Sequence, residues 1–174
     1  QRGNNRQQIF FLDEDRRVYL KRLFGYCDAH KIRVLAYCLM PNHFHFLINA
    51  DNRTITTKTI AGKEKNILSE GIRMLLSSYT QAINKQNNTT GSLFQQNTKA
   101  KQITKGSKLY DLLCFHYIHQ NPMKAKLDEK MEDWAYSSFK DYCGLRKGTL
   151  CNQEMAFRLL ELDKKKFYED SYKI

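Results

Sequence analysis

No stretch of this sequence is apolar for long enough to cross a bilayer, which takes about 20 consecutive residues in a helix. Its first residues also lack the charged, apolar and small-residue zones of a signal peptide. A cytoplasmic, nucleoid-associated protein with no membrane partner is expected. Cysteine pairs at metal-binding spacing are missing too. The five cysteines are Cys27, Cys38, Cys114, Cys143 and Cys151, an odd number with no CxxC among them. A zinc knuckle or a disulfide framework is therefore not expected, and they read as reduced thiols that mostly fill a core. Only two prolines occur, Pro41 and Pro122, so each stands out as a place where the chain turns or stops. No internal repeat or low-complexity segment is present. Acidic residues are few, 18 against 29 basic ones, and the 174-residue chain carries a formal net charge of +11. That imbalance favours a polyanionic partner, most simply nucleic acid.

Apolar residues make up 41% of the chain, enough for the core of one domain. The opening QRGNNRQQIFF reads as an edge strand or an arm. Asp13 is placed to cap a helix in which Tyr19, Leu20, Leu23, Phe24 and Cys27 keep helical spacing. IRVLAYCLM reads as a strand, Pro41 and Asn42 as a turn, and HFHFLI as the return strand of a hairpin. Residues 50–62 are polar and rich in threonine, which suggests a loop. Leu68, Ile72, Leu75, Leu76, Tyr79 and Ile83 mark a second helix, ended by NKQNNTTG. SLFQQNTKAKQIT suggests a strand or ribbon that would put Asn97, Lys99 and Lys101 on one face. A third helix covers SKLYDLLCFHYIHQN, with Ser107 as its cap and Pro122 closing it. A last amphipathic helix spans roughly 153–170. Helices interleaved with strands, without βα repeats, point to an α+β domain with one antiparallel sheet covered by helices.

The stretch LMPNHFHFLI carries two of the chain's five histidines. On a strand, Phe44, Phe46 and Ile48 would face the core, and His43, His45 and Leu47 the other side. Imidazoles at i and i+2 have Cα atoms about 7 Å apart, from a rise of ~3.4 Å per residue, and both can lean onto one divalent ion. A solvent-facing pair of histidines fits the same pattern, so a third ligand and a reactive group are needed to decide. The third helix offers both. Tyr117 and Asn121 lie four residues apart on one helix face. The amide oxygen of Asn121 is a hard ligand suited to Mg²⁺ or Mn²⁺. The phenol of Tyr117 is a candidate nucleophile. The same residues read equally as a core tyrosine and a helix cap, Tyr110 shares the stripe, and His116 with His119 form a rival, lower-ranked metal pair. Asn121 also precedes Pro122, which biases it away from helical geometry and toward the frayed end.

Taken together these blocks resemble the HUH endonucleases. LMPNHFHFLI resembles their histidine–hydrophobe–histidine signature. YIHQNPMKAKL resembles the tyrosine helix of the single-tyrosine transposases, in particular the REP-associated tyrosine transposases of the IS200-like family. RGNNR, GSLFQ at 91–95 and WAYSSF at 134–139 follow in the family's order, so the resemblance covers residues 1 to about 145. It implies a catalytic domain over 1–145 and a C-terminal helical extension over 146–174. The implied fold is a ferredoxin-like or RRM-like antiparallel sheet packed with helices. Carried over by position, His43, His45 and Asn121 fall on the metal ligands, and Tyr117, not Tyr110, on the nucleophile. Two positions depart from the family. Asn97 stands where an arginine is common, and Lys126 where a glycine is usual.

The resemblance also implies the chemistry. With a divalent ion, Mg²⁺ or Mn²⁺, the enzyme would cut single-stranded or hairpin DNA, keep the 5′-phosphate end as a phosphotyrosine and release a 3′-OH that can later be rejoined. A phenol ordinarily ionises near pH 10, so the attack calls for a cation or a base. Single-strand binding pairs basic tracks with aromatic platforms. Arg2 and Arg6 on the arm, with Lys99, Lys101 and Lys105 on the ribbon, are the expected phosphate contacts. Relatives include monomers and homodimers. Two other readings compete: an RRM-like module that binds single strands without catalysis, and a decayed transposase that only binds hairpins. Histidines where stacking aromatics would sit argue against the first, and the intact set of four argues against the second.

Overall fold

Asp15, rather than Asp13, caps the start of the first helix. In a computed structural model, which describes residues 1–60, 62–96, 98–103 and 108–174, its carboxylate accepts the backbone N–H groups of Phe11 and Leu12 at 2.8 and 2.7 Å. Reaching back from inside the first turn, it satisfies donors that the helix cannot. Two compact units form. One comprises Gln1–Arg33, Pro41–His43 and Asn49–Thr98, the other Val34–Met40, Phe44–Ile48 and Lys99–Ile174.

In the first unit, helix α1 (Asp13–Ala29) and helix α3 (Ile67–Asn87) bury the apolar stripes that their spacing implies. Tyr19, Leu23 and Cys27 of α1 are buried, as are Leu75, Tyr79 and Ile83 of α3. Phe24 stays exposed. Phe10, Tyr19 and Tyr79 form an aromatic triad with ring centroids 4.9 to 5.6 Å apart. Full burial of one such side chain stabilises by roughly 1.5–3 kcal/mol. The hydroxyl of Tyr79 donates to the Ile9 carbonyl at 2.7 Å and ties the arm to α3. That arm bridges His43 through Arg2 and Phe94 through Gly3, then makes a 3-10 turn over Asn4–Arg6. The threonine-rich stretch is no loop. It forms helix α2 (Asn52–Ile55) and strands β3 (Thr57–Ile60) and β4 (Lys63–Asn66), paired antiparallel from Thr57↔Asn66 to Ile60↔Lys63. Threonine favours strands, and TKTI with KEKN shows no alternation of apolar residues in the sequence.

The expected ribbon after residue 91 does not form among the described residues. Among the described residues the segment makes only the Gly3–Phe94 bridge, and its neighbours Leu93 and Phe94 are both buried. Consecutive burial is not a strand's alternation. Asn97, Lys105 and Ser107 lie outside the described residues.

The second unit is built on Val34–Met40 of strand β1 (Arg33–Met40) and Phe44–Ile48 of strand β2 (His43–Asn49). Residues 34–40 are buried throughout, whereas on β2 Phe44 is buried and Phe46 and Ile48 only half so. The WAYSSF block runs beside β1. Leu39 donates to the Tyr136 carbonyl, Ser138 to the Tyr37 carbonyl, and the Trp134 indole to the Leu39 carbonyl, at 2.9, 3.0 and 3.1 Å. Cys151 bridges Val34.

Helix α4 (Lys108–Lys124) does not stop at Pro122. Asn121 is therefore helical and buried, not frayed. The end comes at Lys126, in the left-handed region at φ 57°. Its N–H bonds the Met123 carbonyl and that of Leu127 the Pro122 carbonyl, at 2.9 and 3.0 Å, the pattern of a Schellman cap. A single turn, α5 (Phe139–Tyr142), follows. The expected C-terminal helix is two short ones, α6 (Gln153–Leu159) and α7 (Phe167–Lys173), separated by Glu161 at φ 52°. No disulfide links the five cysteines. The class is α+β, a small antiparallel sheet packed against helices, with regular pairing confined to two hairpins among the described residues. No described helix is long and apolar enough to cross a membrane.

Candidate active site

Strand alternation puts His43 and His45 on the same side of β2, and both rings are half-buried. His43 belongs to the first unit. Its Nδ1 lies 2.7 Å from Asn42 Oδ1, an acceptor, so the ring proton sits on Nδ1 and the lone pair on Nε2. Burial, followed by the nearby charge of Arg2, lowers the pKa of His43 to about 4. The imidazole is thus neutral at pH 7, the form that can ligate a cation.

His45, Tyr117 and Asn121 belong to the second unit, where α4 meets β2. Ring centroids of His45 and Tyr117 are 5.8 Å apart, edge to face at 79°. Tyr117 is 48% exposed although Phe115, His116, Ile118 and His119 around it are buried. An exposed aromatic on an otherwise buried stretch of helix is open to a partner. Lys124, two turns on, holds its ammonium 5.7 Å from the Tyr117 ring centroid, within cation–π range. Asn121 is 8% exposed, and its side-chain NH₂ donates to the Tyr117 carbonyl at 2.6 Å. That bond uses the nitrogen and leaves the amide oxygen as the atom suited to a hard cation.

Tyr110 has a different neighbour. The Lys101 ammonium donates to its hydroxyl at 2.8 Å and lies 4.4 Å from its ring centroid. His116 and His119, the rival pair, are core residues. His116 Nδ1 meets Ser171 Oγ at 3.0 Å, and His119 Nε2 meets Ser138 Oγ at 2.7 Å. Burial lowers the pKa of both, that of His119 to about 3. Among the described residues no three His, Cys, Asp or Glu side chains gather as a metal cage. Imidazole nitrogens and an amide oxygen, as on His43, His45 and Asn121, are a different kind of donor, and their chemistry fits Mn²⁺ or Mg²⁺.

The basic residues divide. Arg2 and Arg6 are exposed on the arm of the first unit, with Arg6 at φ 58°. Lys99 and Lys101 are exposed in the second unit, Lys101 on Tyr110. Lys105 lies outside the described residues. Sequence reasoning missed Asn42 and Lys124. The first looked like a turn residue only. The second sits at i+7 from Tyr117, a spacing that puts it on the same helix face.

The family model described as "Transposase IS200 like" matches residues 2–121, which include every candidate ligand and the candidate nucleophile. A protein of Haemophilus influenzae described as a REP-associated tyrosine transposase is 26% identical over 133 residues, 74% of this chain and 69% of that protein. No solved structure matches significantly.

Proposed function

The chain belongs to the IS200-like transposase family, and from that membership we propose that it cleaves and rejoins single-stranded or hairpin DNA through a covalent bond to Tyr117. The observation that carries this reading is the contact between the Tyr117 and His45 rings, which puts a half-exposed phenol beside a candidate ligand. In this reading the β1–β2 hairpin is part of a ferredoxin-like or RRM-like sheet, residues 1–145 are the catalytic domain and 146–174 a C-terminal helical extension.

His43, His45 and Asn121 would hold the divalent ion, Mg²⁺ or Mn²⁺. When bound, such an ion supplies Lewis-acid polarisation of a phosphate oxygen. The rest falls to the chain. Asn42 keeps the His43 lone pair on Nε2. The Tyr117 oxygen attacks phosphorus and gives up its proton to a base. The bond from phosphorus to the 3′ oxygen breaks, and that oxygen takes a proton and leaves as a 3′-OH. The 5′-phosphate stays on Tyr117, so a 3′-OH can reverse the step without another energy source. The Lys124 ammonium near the ring favours negative charge there. Arg2, Arg6, Lys99, Lys101 and Lys105 would contact phosphates, which position a strand without reading it.

The test is a denaturing gel of labelled hairpin oligonucleotides with Mn²⁺, comparing the parent with Tyr117→Phe. The expected result is a metal-dependent covalent protein–DNA band that the variant loses. A band that survives Tyr117→Phe misassigns the nucleophile. Binding without any band, on hairpins from the gene's own flanks as well, favours the non-catalytic single-strand binding module.

A further inference from the structure

The last helix grips the tyrosine helix on either side of Tyr117. His116 Nδ1 meets Ser171 Oγ at 3.0 Å, and the Gln120 side-chain NH₂ donates to the Ser171 carbonyl at 2.8 Å. Ser171 Oγ carries a single hydrogen, which goes to the Phe167 carbonyl at 2.7 Å. The hydroxyl therefore accepts from His116, and His116 is the Nδ1–H tautomer. His116 and Ser171 are 0% exposed, so water does not compete for these bonds. Phe167, one turn back on α7, stacks on the His116 ring at 5.8 Å and 20°.

His116 and Gln120 lie at i and i+4, so a single residue of α7 holds two successive turns of α4. A slide of α4 by one residue, about 1.5 Å, would break both bonds. Among the described residues the Tyr117 side chain has only ring contacts, with His45 and with the Lys124 ammonium. Its edge contact with His45 is worth only about 0.5–1.5 kcal/mol beyond burial. The rotation and height of α4 are thus set from behind, by hydrogen bonds in a dry core.

We propose that Ser171 is a positioning residue: through His116 and Gln120 it fixes α4 so that the Tyr117 phenol is presented to His45. The inference rests on Tyr117 being the nucleophile. A reacting group misplaced by about 1 Å can cost on the order of 100-fold in rate, so the clamp acts on the chemical step and not on DNA binding.

The experiment uses the full chain and measures two quantities, the single-turnover rate of covalent adduct formation and the Kd for the same labelled hairpin. Ser171→Ala removes the hydroxyl, Gln120→Met removes the second bond at similar volume, and Ser171→Thr keeps the hydroxyl. A fluorine label on the ring of Tyr117, introduced as 3-fluorotyrosine, reports its surroundings without activity. The expected result for Ser171→Ala and Gln120→Met is a rate loss of about tenfold or more, a Kd within about twofold of the parent, and a shifted or broadened fluorine signal. Ser171→Thr should recover most of the rate. Unchanged rates in Ser171→Ala and Gln120→Met overturn the proposal. So does a loss of rate that only tracks the folded fraction, with Kd weakening in step. If the parent forms no adduct, the nucleophile assignment has failed, and the fluorine signal alone decides: no change in Ser171→Ala overturns the positioning role.

Discussion

Asn42 Oδ1 and His43 Nδ1 are 2.7 Å apart, and this one bond decides which nitrogen of the histidine faces a ligand. Loss of such an outer partner typically costs 10- to 100-fold in metal affinity, roughly. Asn42→Ala should therefore weaken Mn²⁺ binding by about that factor in calorimetry. Asn42→Asp, which keeps an acceptor oxygen, should retain most of it. Equal affinities for the parent and Asn42→Ala would remove His43 from the ligand set.

Lys126 occupies a position suited to glycine. At φ 57° its backbone is left-handed, and its N–H closes the cap of α4 on the Met123 carbonyl. A side chain in that region costs roughly 1–2 kcal/mol, and glycine avoids most of it. The family that the sequence resembles usually has glycine here. Lys126→Gly should raise the unfolding free energy by about 1 kcal/mol in urea titration. A variant no more stable than the parent would mean that the lysine side chain makes a compensating contact.

The hairpin and the long helices were legible because their apolar residues keep a period. Tyr19, Leu23 and Cys27 announce α1, and Leu75, Tyr79 and Ile83 announce α3. The β3–β4 hairpin was not, because its sequence TKTIAGKEKN shows no apolar alternation. Pro122 misled for a different reason. Proline ends helices because it lacks an N–H, but near a C-terminus the helix loses only one bond, and α4 continues to Lys124. The motif blocks pointed to His43, His45, Tyr117 and Asn121. No periodicity could disclose Asn42, whose role is a bond to the next residue, or Ser171, which lies 55 residues from the histidine it holds.

Gly3 of the RGNNR block has a steric reason to be glycine. A Cβ there would come within 2.3 Å of the Gln7 carbonyl oxygen and 2.8 Å of Ile9 Cγ2. The first of these is backbone, which cannot rotate away. Gly3→Ala should pull the arm off His43 and Phe94, which Arg2 and Gly3 bridge. Proteolysis of the first ten residues should speed up, while α1 and α3 keep their amide protection in hydrogen exchange. Arm cleavage at the parent's rate would refute the crowding argument.

Acid should unfold the protein through the two histidines behind Tyr117. Burial lowers the pKa of His116, against an opposing pull from Asp170, and lowers that of His119 to about 3. An unfolded histidine titrates near 6.5, so between that pH and the folded values the unfolded chain binds more protons. Stability then rises with pH across this window and is lost as pH falls from about 6.5 toward 3. The melting temperature should drop steadily below pH 6.5, before most carboxylates protonate. His119→Gln can still donate to Ser138 but cannot take up a proton, so it should flatten the slope. A slope the same in parent and variant would assign the acid sensitivity elsewhere. His43, lowered to about 4 by burial and then by Arg2, spans the same window; Glu70 spans a lower one, since the hydrogen bonds from Arg73 above all, with Lys65 and the charge of both, hold its carboxyl down at about 2 against the opposing pull of burial. Its contribution would be lost only as pH falls below about 4.5, so the pH at which melting begins to decline separates the two causes.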